Sequence, residues 1–545
     1  MTLATPTNSG GPAMADDTSH DLAATLSTIV GPANVSRDEA LRTLHSQDIW
    51  SKSAETVSLV VSPASIEELS AVVAAATARG FAVAPRGAGM SYTGGYLPAA
   101  ARTVSLDLAR MNRVVAIRPE DMTVTVEAGC SWSALNDALK PLGLRTPFWG
   151  PMSGLVSTIG GGLSQLNAML GAGRYGASSE SLIALSVVLA DGSVLRTGAR
   201  GADGDSPFYR HYGPDLAGLF CGDNGVFGVK AHITLRLIRA PEHETYASFS
   251  FKTGPRLLQA LAEIARDGVA SESCGFDPGL TKMRMARASL TSDVKTLGAV
   301  VAQQKSLLKG LAEAAKVALA GRDFIGADDY PLHVICENRS AAGLADDLAR
   351  VRRIAADHGG VEIENTIAKV IRAVPFPPLN SVLGPAGERW APVHGITPLS
   401  QGPAVFEAIQ AAYAELAPEF EREGVSTGFL FTHLSTNAVI LEPVFYWPDS
   451  CFDIHGVAIE PALMSRLPVQ PDNPPATALV VKARKRLLAI FQSFGCGHFQ
   501  VGRTYPYRES RDAASWRVIE AVKASVDPSG VFNPGVLGLT RRPAE

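Results

Sequence analysis

The sequence lacks the features that mark several common classes of protein. Its 49 Lys and Arg residues against 53 Asp and Glu residues leave a formal net charge of −4, so no basic excess indicates a nucleic-acid partner. Its six cysteines are scattered without C-x-x-C spacing, which disfavours a disulfide framework and a structural zinc site. No apolar run is long enough to span a bilayer. These absences predict a cytoplasmic protein without a metal site or a transmembrane segment.

The length of the chain and the changes in composition along it predict several domains. At 545 residues it exceeds what one ordinary core holds. Residues 1–20 are polar, with no basic flank before an apolar run, and are predicted to be a flexible tail rather than a secretory signal. Strand-like segments and glycine-rich turns dominate up to residue 240. Amphipathic helical patterns follow to about residue 490, and the last fifty residues are again rich in glycine.

Hydrophobic periodicity predicts a mixture of helices and strands. The clearest helix covers residues 66–79, because Ser65 can cap its first turn and Gly80 can end it. Further helices are predicted over residues 22–29, 132–142, 214–220, 255–270, 294–319, 341–358 and 516–525. Strands are predicted over residues 81–84, 104–108, 114–117, 124–127, 182–189, 194–196 and 228–237.

A glycine-rich loop at residues 85–95 is the most informative local feature. It connects two strand-like segments and contains four glycines. Such turns direct successive backbone N–H groups into a concave anion site. The loop lacks the G-x-G-x-x-G spacing before a helix and the Gly-Lys-Ser/Thr ending of a nucleotide triphosphatase. Taken alone, it predicts either a phosphate-binding loop or a glycine-rich connection without a ligand.

Three further elements follow this loop in a fixed order, at residues 151–162, 215–229 and 526–535. Together the four elements resemble the FAD-binding domain of the vanillyl-alcohol oxidase and para-cresol methylhydroxylase (PCMH) flavoprotein superfamily. The resemblance covers about residues 50–240 and 490–540. It implies an α+β fold with a two-subdomain PCMH-type FAD-binding domain over residues 21–240. A sheet-and-helix cap domain for the substrate would span residues 241–490, and residues 491–545 would return to the FAD-binding domain.

The resemblance also implies FAD as the cofactor and a set of residues that contact it. The first loop would wrap the pyrophosphate with backbone N–H groups, the second cluster would line the ribityl chain and flavin, the third element would meet the adenine, and the last would approach the flavin. The implied cofactor-binding residues are Gly87, Ala88, Gly89, Met90, Ser91, Ser157, Thr158, Gly160, Gly161, Gly162, Gly228, Val229 and Asn533. The first loop has no histidine, so the covalent flavin link of sugar-oxidising relatives is absent. A non-covalent flavin is expected, and a link through a cap-domain residue stays open.

Three residues are candidates for catalysis by the same resemblance. Tyr92 occupies the place of a tyrosine that binds a substrate phenolate in phenol-oxidising members. Arg503 lies in a segment that resembles a Tyr-Arg-Thr set, although Gly502 stands where a tyrosine is expected. His433, like His394, lies in a cap segment resembling those that reach the flavin. Each could instead have a packing or structural role.

The resemblance predicts an FAD-linked oxidoreductase that transfers a hydride from a phenolic or aryl-alkyl alcohol substrate to flavin N5, in aromatic compound catabolism. One alternative is a D-2-hydroxyacid or sugar-alcohol dehydrogenase or oxidase of the same superfamily. The metal-binding His-x-Gly-Asp-Gly-Asn-x-His motif of the hydroxyacid relatives is absent from the sequence. A second alternative is a flavin-binding protein without turnover. Oxygen, a cytochrome and a quinone stay open as electron acceptors, and homo-oligomerisation is also open.

Overall fold

The computed structural model describes residues 12–287 and 325–541, with side chains from Ser19 to Ala286 and again from residue 325. The helix predicted over residues 294–319 lies outside these ranges. The described chain has two smaller sheets in its first part and one large sheet with covering helices in its second. The predicted α+β class is therefore confirmed.

The first part of the chain forms two sheets with short helices at their edges. Its helices are α1 (Pro12–Val30), α2 (Glu39–Leu44), α3 (Ile66–Ala78), α4 (Trp132–Leu139), α5 (Ile159–Gln165), α6 (Ala172–Tyr175) and α7 (Leu216–Leu219). Its strands are β1 (Val35–Ser36), β2 (Leu59–Val61), β3 (Ala82–Arg86), β4 (Thr103–Asp107), β5 (Val114–Arg118), β6 (Thr123–Glu127), β7 (Leu144–Arg145), β8 (Leu182–Val188), β9 (Val194–Arg196), β10 (Val229–Arg236) and β11 (Ile238–Arg239).

The strand orders place the glycine loop at a sheet edge. One sheet has the order β1-β2-β4-β3, in which β2, β4 and β3 run parallel. The other is antiparallel with the order β5-β6-β10-β8-β9. The loop leaves the carboxyl end of the edge strand β3, where the chain can reach a ligand without interrupting a ladder. As predicted, Ser65 caps α3 by accepting a hydrogen bond from the Glu68 amide, 3.2 Å away.

The first helix is longer than the sequence analysis predicts. It begins at Pro12 rather than at residue 22, so residues 12–20, which the sequence predicts to be a flexible tail, are helical. Leu22, Leu26 and Val30 recur every four residues and are buried in the core. Burial of these three residues fixes the helix against the core. The polar residues before them can then extend the helix, because adding a residue to an existing helix needs no new nucleation step.

The second part of the chain forms a large antiparallel sheet. Its helices are α8 (Gly254–Asp267), α9 (Pro278–Arg287), α10 (Ala341–Asp357), α11 (Thr366–Ala373), α12 (Gly402–Glu423), α13 (Asp453–Ala458), α14 (Pro461–Met464) and α15 (Pro474–Ser493). Its strands are β12 (His243–Phe251), β13 (Glu272–Phe276), β14 (Tyr330–Asn338), β15 (Val361–Ile363), β16 (Arg389–Pro392), β17 (Gly395–Pro398), β18 (Ser426–Leu434) and β19 (Ala438–Trp447). The order is β15-β12-β14-β13-β18-β19-β16, and β17 also pairs with β19.

The two faces of this sheet have different partners. Because successive strand residues point to opposite faces, Phe429, Phe431 and Leu441 share one face and pack with apolar residues of α8, α12 and α15. The alternate residues on β18 and β19 face the first part of the chain. The sheet therefore acts as a wall between its own helical core and the first part.

The C-terminal segment joins the first part of the chain. After the last helix, α16 (Ala513–Val526), Val83 donates its amide to the Val531 carbonyl at 2.9 Å, and Asn533 donates to the Val83 carbonyl at 3.0 Å. The buried Lys523 ammonium donates to the Asp527 carboxylate at 2.6 Å and to the Phe532 carbonyl at 3.0 Å. These bonds hold the segment against β3, beside the glycine loop.

A buried charge network connects the first part to the large sheet. Arg145 on β7 donates both terminal nitrogens to Glu337 on β14, at 2.6 and 2.8 Å. Arg372 on α11 pairs with Glu337 at 2.7 Å and with Glu272 at 2.6 Å. Removing one partner would leave a buried charge uncompensated, so this interface needs all four groups. In the described residues, no helix is both long and apolar enough to cross a membrane.

Candidate active site

One cavity brings together residues from all parts of the chain. Two glycine clusters, residues 87–91 and 157–162, line one side, and we call this side the glycine wall. The opposite side is the cap wall, formed by Trp390, Leu430, Thr432, Ile440 and Glu442 of the large sheet. Of the predicted cofactor-binding residues, the cavity lining includes residues 87–91, Ser157, Thr158, residues 160–162 and Gly228.

The glycine wall presents free backbone donors. The N–H groups of residues 87–91 donate to no acceptor among the described residues, although two of the loop's carbonyl groups are engaged. The Ser91 carbonyl accepts from the Ile49 amide at 3.1 Å, and the Gly89 carbonyl accepts from the Tyr96 hydroxyl at 2.6 Å. Five successive donors beside a cavity suit an anion, because each amide otherwise loses a partner.

Close packing explains why this wall requires glycine. A Cβ on Gly87 would lie 2.5 Å from the Thr158 hydroxyl, and one on Gly89 would lie 2.2 Å from the Arg86 guanidinium. Gly89 also has a φ of +77°, which other residues rarely adopt. Asp48 fixes the end of the loop by accepting the Gly94 amide at 2.7 Å. The loop is therefore held in shape before any ligand binds.

The deeper part of the cavity carries polar side chains whose oxygens have no partner. The side-chain oxygens of Gln165, Asn167 and Asn224 are buried and accept no hydrogen bond from the described residues. Lys230 lies beside them and donates to Asp223 at 2.6 Å and to the Ser164 hydroxyl at 2.8 Å. Unused acceptors next to five unused amides fit a ligand with both an anion and polar ring edges, as FAD has.

Two predicted cofactor-binding residues lie outside the cavity lining. Val229 is a ladder residue of β10, paired with Val188. Asn533 donates its side-chain amide to the carbonyl groups of Asn224 and Gly95, at 2.6 and 3.0 Å. Asn533 thus joins the C-terminal segment to the glycine loop, and its contact with a cofactor stays a prediction.

The cap wall follows from the register of two neighbouring strands. Leu430 lies opposite Glu442, and Thr432 lies opposite Ile440, in the antiparallel pairing of β18 and β19. Residues two apart on a strand share a face, so all four side chains point toward the cavity. Trp390 extends this face on β16. The wall is apolar except for Thr432 and Glu442.

Glu442 is a lone carboxylate in this wall. Burial raises its pKa to about 7, and the positive charge of Arg284 opposes that shift. Arg284 comes from α9, lines the same cavity and packs its guanidinium 4.4 Å from the centre of the Phe276 ring. A carboxylate with a pKa near neutrality, facing a cavity, is a candidate proton acceptor.

Tyr92 bridges the two walls. Its side chain is 9% exposed, its ring meets the Trp390 ring edge-on with centroids 5.3 Å apart, and its hydroxyl accepts from the Gln500 side-chain amide at 2.8 Å. Burial, with the nearby charge of Glu442, raises the pKa of Tyr92 well above its usual value. The hydroxyl thus keeps its proton and can donate it to a group in the cavity.

Arg503 has a different environment from the one predicted for a substrate-binding arginine. It lies outside the cavity lining, and its guanidinium donates to the carbonyl groups of Gly94 and Pro534, the second at 2.9 Å. Its amide also donates to the Thr93 carbonyl at 2.8 Å. These bonds tie the glycine loop to the C-terminal segment and favour a positioning role over substrate contact.

The two candidate histidines are engaged within the protein. His433 follows Thr432 on β18, so its side chain points to the opposite face, where Nδ1 contacts the Ser273 hydroxyl. Burial lowers the pKa of His433 to about 4. His394 lines the cavity, but Nε2 accepts from the Phe499 amide at 2.8 Å and Nδ1 lies 3.0 Å from the Tyr505 hydroxyl. Both ring nitrogens of His394 are engaged, whereas Nε2 of His433 is buried outside the cavity lining with no hydrogen-bond partner among the described residues, and these environments favour structural roles.

Sequence reasoning missed three residues of this site: Glu442, Arg284 and Gln500. A signal for Glu442 existed, because it is the only charged residue in the otherwise apolar strand β19. Gln500 has a φ of +45°, an uncommon conformation for glutamine, which no sequence pattern indicates. Arg284 lies on a polar helix where nothing in the pattern distinguishes it from its neighbours. Across residues 19–286 and 325–541, no three His, Cys, Asp or Glu side chains are grouped to hold a metal ion.

Comparison with known proteins agrees with this geometry. Residues 57–198 match the family model described as an FAD binding domain. A probable mitochondrial D-lactate dehydrogenase of Danio rerio is 32% identical over 243 residues, which is 44% of this chain and 47% of that protein. The chain thus spans about half the length of the curated relatives it matches.

Solved structures match nearly the whole chain. p-Cresol methylhydroxylase superposes with a TM-score of 0.71 at 16% identity, covering 96% of this chain and 97% of that one. 4-Ethylphenol oxidase from Gulosibacter chungangensis superposes with a TM-score of 0.67 at 17% identity, covering 99% of each chain. The match of residues 57–198 confirms the prediction of FAD as the cofactor, and the superpositions show that the chain has the fold of p-cresol methylhydroxylase and 4-ethylphenol oxidase.

Proposed function

We propose that this protein is an FAD-dependent oxidoreductase that removes a hydride from the carbon next to the ring of a phenolic or aryl-alkyl alcohol. The observation that carries the proposal is the aromatic side of the cavity, where Tyr92 and Trp390 meet edge-on. Leu430, Ile440 and Phe499 complete an apolar lining that suits an aromatic ring.

FAD, when bound, supplies the two-electron oxidant that accepts the hydride. The residues of the glycine wall would hold its pyrophosphate through backbone N–H groups, at about 1.5–3 kcal/mol for each charge-assisted bond. The protein's task is then to orient the substrate and to manage its proton. Tyr92 supports this task, because its buried hydroxyl keeps its proton and Gln500 fixes its direction.

A 2-hydroxy acid is the second candidate substrate class. The cavity contains the guanidinium of Arg284, a group that pairs well with a carboxylate. A relative of this chain carries the name D-lactate dehydrogenase. The hydrophobic cap wall favours the aryl substrate, whereas Arg284 favours the acid.

We also propose a cytoplasmic location and a role in aromatic compound catabolism, within the vanillyl-alcohol oxidase branch of the superfamily. The scattered, unpaired cysteines support a reducing compartment. Steady-state assays with oxygen, a quinone or cytochrome c would identify the electron acceptor, and sedimentation would establish the oligomeric state.

The test is an anaerobic titration of the purified yellow protein with 4-hydroxybenzyl alcohol, benzyl alcohol, lactate and a sugar alcohol. We expect the aryl alcohols to bleach the flavin at a rate at least tenfold above that of lactate. Tyr92→Phe should retain FAD and reduce flavin at least tenfold more slowly, because the donor to the substrate oxygen is lost. A flavin that no alcohol bleaches would refute the proposal in favour of a flavin-binding protein without turnover. Unchanged kinetics in Tyr92→Phe would refute the role of Tyr92 alone.

A further inference from the structure

The cavity contains two charged side chains that the proposed function leaves without a task. Arg284 and Glu442 come from different elements, α9 and β19, yet both line the same space. No hydrogen bond or ion pair joins either side chain to another described residue. Apart from Thr432, the rest of the cap wall is apolar or aromatic. A half-buried carboxylate such as Glu442 is costly to ionise in such surroundings unless a ligand or a cation compensates it, and the exposed Arg284 side chain presents a cation at the same cavity.

We propose that the substrate is an aryl-substituted 2-hydroxy acid, with its carboxylate bound by Arg284 and its hydroxyl proton accepted by Glu442. This inference rests on the proposed function and specifies its substrate class. It combines the two candidate substrate classes in one molecule. The aromatic ring of that molecule would contact the cap wall, and its carboxylate would pair with the guanidinium of Arg284. Arg284 is suited to the carboxylate, since a guanidinium offers a planar fork of donors.

The chemistry balances within this arrangement. The carbon that bears the hydroxyl loses its hydrogen as a hydride to the flavin oxidant, and the hydroxyl oxygen loses its proton to the Glu442 carboxylate. The carbon–oxygen single bond becomes a carbonyl, so the product is an aryl-substituted 2-oxo acid. A positioned carboxylate base of this kind contributes about 10²–10⁴-fold to a rate.

Glu442 is the group around the cavity that titrates near neutral pH. Burial keeps its carboxyl partly protonated, with a pKa of about 7. Four groups that face it stay in one state between pH 6 and 9: two tyrosines and a cysteine whose pKa values burial raises, and a histidine whose pKa burial lowers to about 3. They are Tyr92, Tyr505, Cys274 and His394, and the guanidinium of Arg284 lines the same cavity.

The first experiment measures binding and needs no turnover. Phenylacetate and phenylacetamide have the same ring and differ in charge, and neither has a hydroxyl to oxidise. Calorimetric titration of the FAD-loaded protein should give an affinity for phenylacetate at least tenfold above that for phenylacetamide. Arg284→Met should abolish this preference, and Arg284→Lys should retain part of it.

Lys282→Met is the matched control, because Lys282 is an exposed cation on the same helix and lies outside the cavity lining. It should leave the preference for phenylacetate unchanged. Equal affinities for the two ligands in the wild-type protein, or a preference that survives in Arg284→Met, would overturn the assignment of Arg284.

The second experiment follows anaerobic flavin reduction by each enantiomer of mandelate, with 1-phenylethanol as the neutral analogue. Mandelate should reduce the flavin at least tenfold faster at low concentration, with a rate that rises through pH 7 as Glu442 loses its proton. Glu442→Gln should lower the rate about 100-fold and remove the pH dependence, and Glu442→Asp should restore part of both.

The outcomes separate this inference from the function on which it rests. If 1-phenylethanol reduces the flavin and mandelate does not, the inference is wrong and the proposed function stands. If neither compound nor any other alcohol reduces it, both are wrong. An unchanged rate and pH profile in Glu442→Gln would overturn the role of Glu442, whatever the fate of Arg284.

Discussion

The glycine wall and the cap wall face the same cavity but are built from different chemical groups. The glycine wall uses backbone N–H groups of residues 87–91 from one continuous loop. The cap wall uses side chains from β16, β18 and β19, which pairing brings together from residues 390–442. A loop that binds through its backbone leaves a local pattern of glycines. A wall made of side chains from separate strands leaves no such pattern.

Because of this difference, substitutions in the two walls should have different effects. The glycine wall allows almost no added atom, because its segments already touch each other. The cap wall has one carboxylate, Glu442, which cannot be replaced by a neutral residue without changing the charge of the cavity. Substitutions in the first should therefore alter cofactor content, and substitutions in the second should alter turnover, pH response or substrate choice.

The largest effect should come from Gly89→Ala, which tests whether the glycine wall binds FAD. The added methyl would meet the Arg86 guanidinium at 2.2 Å in a loop with a φ of +77°. We expect FAD affinity to fall at least 100-fold, measured as flavin absorbance per protein after gel filtration. Gly204→Ala is the control, since Gly204 has a φ of +72° and nothing within 4 Å. Equal FAD loss in both would assign the effect to backbone strain rather than to the wall.

Arg503→Met should have the next largest effect, on stability. It removes two guanidinium bonds to the carbonyl groups of Gly94 and Pro534. We expect the free energy of unfolding to fall by about 3 kcal/mol, with less than a threefold change in kcat. Arg511→Met, at an exposed arginine, is the control in the same urea titration. A hundredfold fall in kcat at unchanged stability would instead support the substrate contact that the sequence analysis predicts.

Glu442→Gln should change how stability depends on pH. The pKa of Glu442 is raised to about 7 in the folded protein, against about 4.3 in an unfolded chain. Between these values the folded state binds more protons, so its stability falls as the pH rises. The variant lacks this cost and should gain about 3 kcal/mol relative to wild type between pH 4.5 and 8. Glu407→Gln, at an exposed glutamate of α12, should show no such gain, and a gain in both would contradict the buried charge.

The smallest effect on activity should come from His433→Asn. Its imidazole points away from the cavity toward Ser273, and the lowered pKa, about 4, keeps it neutral above pH 6. We expect kcat to change less than twofold between pH 6 and 9, together with a lower melting temperature. Loss of the pH dependence of kcat in this variant would contradict this prediction and support a catalytic role for His433.

Much of the fold was predictable because its signals are local. The capping serine at residue 65 and the glycine at residue 80 bracket α3 within one or two residues. The hairpin of β8 and β9 follows from its Asp-Gly turn. The start of α1 at Pro12 is not predictable in the same way, because burial of Leu22 and Leu26 holds the helix and no local pattern of residues 12–20 reveals it.

In the candidate site, too, some features have local sequence signals and others depend on tertiary packing. The sequence by itself determined the close packing of the glycine wall, since at Gly89 only glycine readily accepts the φ of +77° and the close approach of Arg86. It also indicated Tyr92, which lies inside the same loop as Gly89. Only the tertiary structure decided which cap residues face the cavity, because strand register puts Thr432 toward it and His433 away from it. Folding also brought Arg284 and Glu442 to one cavity from positions 158 residues apart (284 to 442), a proximity that no spacing in the chain encodes.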